Sequence, residues 1–381
     1  MIYLDNNATT PLAAEVFEAM LPFLHDEYGN PSSSHALGKS PKIAIAAARE
    51  NVAELIGASR ASEITFTASG TEADNWAILG SLEHLPGQKH IITTRVEHEA
   101  VRKLCEKLGN CGHRISWLDV DREGCLDLDQ LKDELCDDTA IVSTMWANNE
   151  TGVIFPVDQI AEIVRSNSRA LFHVDAVNAA GKVKIDLANV PIDLLSISAH
   201  KFYGPKGIGA LFIRENLNFP QMLIGGGQEN GRRAGTEAVH QIAGLGAAAK
   251  LASDLQKMNK VGQMRDRLEN SLLSLIPDSF VNGTKILTKR LANTSNLSFE
   301  NTNGEMILHR LDEIGICVST GSACNSESKT SSPVLAAMDV PYSQAMGSIR
   351  FSLGRTTKES DIENVISVLP GIVSELRSLA D

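Results

Sequence analysis

The chain lacks an excess of positive charge, a long apolar run, a cysteine framework and any internal repeat, and each absence removes a class of function. Lys and Arg number 35 against 47 Asp and Glu, a formal net charge of -12 over 381 residues. Direct binding to a nucleic-acid backbone is therefore not expected. Every apolar stretch is broken by charges or glycines well short of the roughly 20 residues that span a bilayer, so no membrane association is expected. The opening Met1-Ile2-Tyr3-Leu4-Asp5 has neither a basic region nor an apolar signal segment, and the expected location is cytoplasmic. Six cysteines in so long a chain do not make a disulfide framework. None sits in a Cys-x-x-Cys pair, and only His113 lies close to Cys105 and Cys111, so no metal site is expected. Cys105, Cys125, Cys136 and Cys317 read as small hydrophobes, buried or half-exposed.

What is present is an ordinary folded composition, 43% hydrophobic and 22% charged, in a chain longer than one core usually supports. Two domains are expected, a large one over residues 12–255 and a small one from residues 1–11 and 256–381. Thr10 and Pro11 read as the N-cap and first residue of a helix over residues 12–24, and Ser40-Pro41 as the start of another that ends at Gly57. Strands are expected at residues 64–67, 90–96, 140–145, 171–174, 194–198 and 210–213, short, apolar and separated by helices. That alternation predicts an α/β layer built on a mixed, mostly parallel sheet. After a helix over residues 241–254 the pattern changes to a smaller α+β arrangement. It has helices at 264–275, 305–315 and from 360 onward, and strands at 296–299, 317–320 and 348–353. Residues 326–333 (Ser-Glu-Ser-Lys-Thr-Ser-Ser-Pro) are the one segment with loop chemistry throughout.

The densest chemistry lies in Leu194-Leu195-Ser196-Ile197-Ser198-Ala199-His200-Lys201, an apolar run that delivers a hydroxyl, an imidazole and an amine to its end. An upstream strand ends on Asp175. Pyridoxal 5'-phosphate needs such a set: a lysine for its aldehyde, a carboxylate for its ring nitrogen, and donors for its phosphate. Ser69-Gly70-Thr71-Glu72 stands where a strand hands over to a helix, a place where free N–H groups hold phosphate. His98, after another strand, either stacks on an aromatic cofactor and moves protons or simply starts a helix. Asn149, in Asn148-Asn149-Glu150-Thr151-Gly152, offers an amide to a carboxylate or is ordinary loop chemistry. The Gly225–Thr236 stretch, with three glycines followed by Arg232 and Arg233, suits an anion site, a subunit contact or a plain surface loop. Cys324 stands in the small-residue run Gly321-Ser322-Ala323-Cys324, where a thiol is able to approach a substrate. Arg350 interrupts an apolar strand and needs an anionic partner, either a substrate carboxylate or a structural Asp or Glu.

Together, from Tyr3-Leu4-Asp5-Asn6-Asn7-Ala8-Thr9-Thr10 through Gly29-Asn30-Pro31-Ser32-Ser33 and the boxes around Lys201 and Cys324 to residues 350–355, these motifs resemble the NifS/IscS-like cysteine desulfurases. The resemblance implies the fold type I (aspartate aminotransferase-like) architecture and the group I subfamily. It also implies a homodimer, and a reaction that takes sulfur from L-cysteine, releases L-alanine and passes the sulfur to a protein acceptor. By it, Lys201 holds the cofactor, His98 stacks on the ring and Asp175 meets the ring nitrogen. Gly70, Thr71, Ser198 and His200 take the phosphate, with Thr236 reaching in from a partner subunit. Asn149 and Arg350 bind the substrate carboxylate, Asn178 faces the ring hydroxyl, and Cys324 is the nucleophile that becomes a persulfide. Three departures stand out: Asn178 replaces the family's glutamine, the segment after Cys324 is polar rather than apolar, and the tail that many relatives use to dock an iron–sulfur scaffold is not evident. The acceptor therefore stays open among iron–sulfur assembly, tRNA thiolation, thiamine pathways and DNA phosphorothioation. A selenocysteine lyase or simple C–S lyase on the same fold, and a non-catalytic sulfur-relay subunit, are the competing readings.

Overall fold

β-Branched and apolar runs too short to be helices assemble into a seven-stranded sheet at the centre of the molecule. In spatial order its strands are Ile64–Thr67, Gly209–Ile213, Leu194–Ser198, Leu171–Asp175, Thr139–Met145, His90–Thr94 and Arg114–Leu118. All run parallel except Gly209–Ile213, which is antiparallel to both neighbours. Six of the seven are buried along their whole length, as strands covered on both faces must be. The seventh, Arg114–Leu118, is an edge strand with a polar, partly exposed sequence, so the apolar-run criterion passes over it. This structure is a computed structural model and describes residues 1–320 and 332–379.

A second core surrounds the antiparallel sheet Ser348–Ser352, Thr294–Phe299 and Ser279–Val281. Leu268, Leu297, Phe299, Leu311, Phe351 and Leu369 pack there with Leu4 from the N-terminal segment. Ile2–Tyr3 pairs in parallel with Ile316–Cys317, and Asp5 bridges to Ser352. The first residues of the chain are thus stitched into this unit.

Two helix starts differ from the sequence reading. The first helix is Ala14–His25, and Thr10 does not cap it. Thr10 Oγ1 instead donates to the carbonyl of His200 at 2.9 Å and accepts from the backbone N–H of Tyr203 at 2.7 Å. The hydroxyl is used to tie the N-terminal segment to the turn after Leu194–Ser198. The second helix, Ala36–Leu55, starts before Ser40 and carries Pro41 inside it. No described helix is long and apolar enough to cross a membrane.

Candidate active site

The carboxyl ends of parallel strands collect loops on one side of a sheet, and ligands bind there in open α/β folds. Here that edge faces the smaller sheet across a cavity of about 600 Å³. Gly70, Thr71, His98, Asn149, Asp175, Asn178, Ser198, His200, Lys201 and Arg350 all line it. Thr236 does not; it lines a smaller cleft that shares Ala68 and Gly207 with the main cavity. Cys324 and its Gly-Ser-Ala-Cys box lie outside the described residues, as do residues 326–331 of the polar loop.

Lys201 closes a one-turn 3-10 segment, Ala199–Lys201, directly behind the strand. The chain must then turn sharply: Tyr203 has φ 70°, and a Cβ on Gly204 would fall 2.7 Å from that of Ala199. Only glycine fits there. Lys201 Nζ donates to the carbonyls of Asn7 at 2.5 Å and Ala8 at 3.0 Å. Asn7 is itself pinned, donating to Thr294 Oγ1 and to the Asn149 carbonyl. The N-terminal segment thus orients the lysine.

The helix Gly70–His84 points its first turn at the cavity, with Ser69 Oγ capping the N–H of Glu72 at 3.1 Å. The N–H groups of Gly70 and Thr71 have no intrahelical partner. A Cβ on Gly70 would lie 2.7 Å from Val177 Cγ2 and 3.3 Å from Ser198 Cβ, so glycine lets the helix end approach these neighbours. Ser198 and His200 complete a set of donors suited to an anion. Burial, reinforced by the Lys201 charge, pushes the His200 imidazole down to about 4.

Asp175 ends its strand and accepts from the Val177 N–H at 2.9 Å. Burial raises its carboxyl, and the nearby His98 and Lys201 work against that rise. His98 caps the helix Glu99–Asn110, its Nδ1 accepting from Ala100 N–H at 3.2 Å. It therefore both starts a helix and lines the cavity. Burial lowers its pKa, so the ring there is neutral. Arg350 Nη2 binds Asp5 Oδ1 at 2.7 Å and Nη1 binds the Asn149 carbonyl at 3.1 Å, while the buried Nε has no partner. A structural aspartate thus supplies an anion for Arg350, and the guanidinium also lines the cavity. Both ends of the Asn178 amide are engaged: Nδ2 donates to the Asn148 carbonyl at 3.2 Å, and Oδ1 accepts from Lys182 Nζ at 2.7 Å.

Sequence reasoning passes over three buried acids and one half-buried amine. Asp74 lies one turn into the phosphate-facing helix, lines the cavity and has an unpartnered Oδ1. Burial first, then the Asp175 charge, drives its carboxyl well above the usual range. Burial lifts Glu97 to about 8 and Glu150 to about 7, and pushes the Lys182 amine well below its ordinary value. The spacing of Asp74 from Gly70 places both on one helix face, but burial is invisible in a single sequence.

The chain matches the aminotransferase class-V family over residues 2–365. It belongs to that family. Cysteine desulfurase 2 of Trichormus variabilis is 50% identical over 381 residues, covering 100% of this chain and 95% of that protein. A solved NifS-like protein superposes with a TM-score of 0.91 at 35% identity, covering 98% of this chain and 100% of that one. SspA, solved in complex with cysteine, gives a TM-score of 0.82 at 32% identity over 93% of this chain and 99% of that one. Cysteine desulfurases in the class-V family depend on pyridoxal 5'-phosphate, and this cavity fits that group. Two carboxyls that line the cavity, Asp175 and Asp74, suit a cationic ring nitrogen, whose charge would favour their ionised form, and the open helix end with Ser198 and His200 suits a dianionic phosphate.

Proposed function

We propose that the chain is a cysteine desulfurase that converts L-cysteine to L-alanine and leaves the sulfur as a persulfide on Cys324. The observation that carries this reading is the convergence of Lys201, Asp175, His98 and Arg350 on one cavity beside an open helix N-terminus. When bound, pyridoxal 5'-phosphate supplies the electron sink that makes the Cα proton of an amino acid removable. Lys201 would anchor the cofactor, and its amine, when free, is the group in the cavity that would take that proton. His98, neutral and capped against its helix, covers the ring. Asp175 balances the ring nitrogen, Asn178 faces the ring hydroxyl, and Gly70, Thr71, Ser198 and His200 hold the phosphate. Arg350 and Asn149 orient the substrate carboxylate. The Cys324 thiolate attacks the substrate sulfur; the S–S bond forms as the C–S bond breaks, and the electron pair stays on the carbon side, which is protonated to alanine.

The active unit in this reading is a homodimer. Phe17, Leu21, Leu24, Leu37 and Ile43 are exposed on the first two helices, Tyr28 between them is 74% exposed, and Ile224 beside the glycine-rich loop is 92% exposed. So much uncovered apolar surface favours a protein contact. In a dimer the loop carrying Thr236 serves the neighbouring cavity, which accounts for its separate cleft. The acceptor is a cytoplasmic protein, in iron–sulfur assembly, tRNA thiolation or DNA phosphorothioation.

Cys324→Ala tests the proposal. The variant should retain the cofactor's absorption and its spectral response to cysteine, while alanine formation and persulfide collapse. Undiminished sulfide release would instead identify a simple C–S or selenocysteine lyase.

A further inference from the structure

Asp5 is in direct contact with the guanidinium of Arg350, and the fold fixes both residues. Asp5 pairs in parallel with Ser352, two residues beyond Arg350 on the strand Ser348–Ser352, and its own carbonyl accepts from Tyr3 Oη at 3.0 Å. The backbone of Arg350 exchanges hydrogen bonds with Ser319, which also lines the cavity. Between these anchors Arg350 Nη2 donates to Asp5 Oδ1 at 2.7 Å, and Nη1 shares the Asn149 carbonyl with the Asn7 amide. Asp5 is half-buried, Arg350 is buried with an unpartnered Nε, and both line the cavity. A further acid, Glu150, lines the same cavity, but its Oε2 is occupied by the Ser332 hydroxyl at 2.5 Å. The Arg350–Asp5 pair therefore offers donors to the cavity without a net positive charge.

We propose that Asp5 is a specificity-determining residue, which holds the Arg350 guanidinium in place and restricts the cavity to amino acids that carry a single anionic group. The proposal rests on the reading of Arg350 as the seat of the substrate carboxylate. Once one carboxylate sits on the guanidinium, a single positive charge faces two negative ones, so a second anionic group on the same ligand enters a repulsive corner. An amino acid with a neutral side chain does not meet that repulsion. A like charge a few ångströms away is worth about threefold in binding where water screens it fully and about a hundredfold where it is partly buried, so about tenfold is expected at this half-buried pair. Selectivity then comes from a repulsive element as much as from an attractive one.

The test uses the holoenzyme and two probes that differ in charge but hardly in shape, L-asparagine and L-aspartate, and follows the bound cofactor's absorption as each is added. In the parent, asparagine should bind at least about tenfold more tightly than aspartate. Asp5→Asn keeps an acceptor for Arg350 Nη2 and removes the charge, so it should tighten aspartate more than asparagine and shrink that ratio at least about threefold. Asp5→Ser, a second way to remove the charge, should shrink it likewise, whereas Asp5→Glu keeps the charge and should keep the parent's preference. Equal affinities in the parent, a ratio unchanged by Asp5→Asn and Asp5→Ser, or an Asp5→Glu variant that behaves like Asp5→Asn would each overturn the proposal. A parent that holds the cofactor but responds to neither cysteine nor asparagine would overturn the reading of Arg350 itself, and this proposal with it.

Discussion

Glu97→Gln isolates what one buried acid beside the cavity does to the protein. Glu97 Oε1 accepts from Thr94 Oγ1 at 2.7 Å and from the Met145 N–H at 3.0 Å, while Oε2 has no partner. Burial lifts the carboxyl from its ordinary 4.5 to about 8. Between those values the unfolded chain has released a proton that the folded chain retains, so stability falls as pH rises through that window. The contribution is fully present below pH 4.5 and lost by about pH 8. At roughly 1.4 kcal/mol per unit, the raised value corresponds to at most about 5 kcal/mol across the window. Glutamine has nearly the same shape as the neutral acid and cannot ionise. Its NH₂ inherits the unpartnered Oε2 position, so at pH 5 the variant should match the parent within about 1–2 kcal/mol. At pH 8.5 the variant should melt several degrees higher. Thermal unfolding of the full chain at both pH values checks this. A pH slope unchanged by the substitution would mean that Glu97 does not hold a proton in the fold.

Two further substitutions probe the cavity itself. In the proposed role, Arg350→Gln would remove a charged hydrogen bond to the substrate carboxylate worth about 1.5–3 kcal/mol, so KM for cysteine should rise about 10- to 100-fold with cofactor uptake unchanged; steady-state kinetics showing an unaltered KM would contradict that role. Asn178→Gln adds a methylene to an amide now held by Lys182 and Asn148. An effect of about 1 kcal/mol should shift the pH at which the bound cofactor's absorption changes while activity persists, and a superimposable titration would show that no such contact exists.

Strand positions were legible because fully buried strands are continuous apolar runs: Leu194–Ser198 appears in the structure with the bounds that its sequence suggests. Thr10-Pro11 misled because capping chemistry is local, whereas the His200 and Tyr203 backbone groups that claim Thr10 are almost two hundred residues away. The cavity residues were readable where reactive types stand at strand ends. Asp74, Glu97, Glu150 and the half-buried Lys182 were not, because a charged side chain in sequence gives no sign that the fold will bury all or part of it. Arg350 lay between the two cases: its apolar strand demanded an anion, and only the structure shows that Asp5, arriving from the N-terminal segment, supplies one.

The central claim is that Lys201 holds pyridoxal 5'-phosphate in this cavity. Borohydride reduction of the purified, yellow protein, followed by peptide mass spectrometry, tests it most directly. The account predicts the reduced cofactor's mass on the peptide containing Lys201 and its loss in Lys201→Ala. A colourless protein unable to take up the cofactor, or the mass found on Lys182 or Lys206 instead, would contradict it.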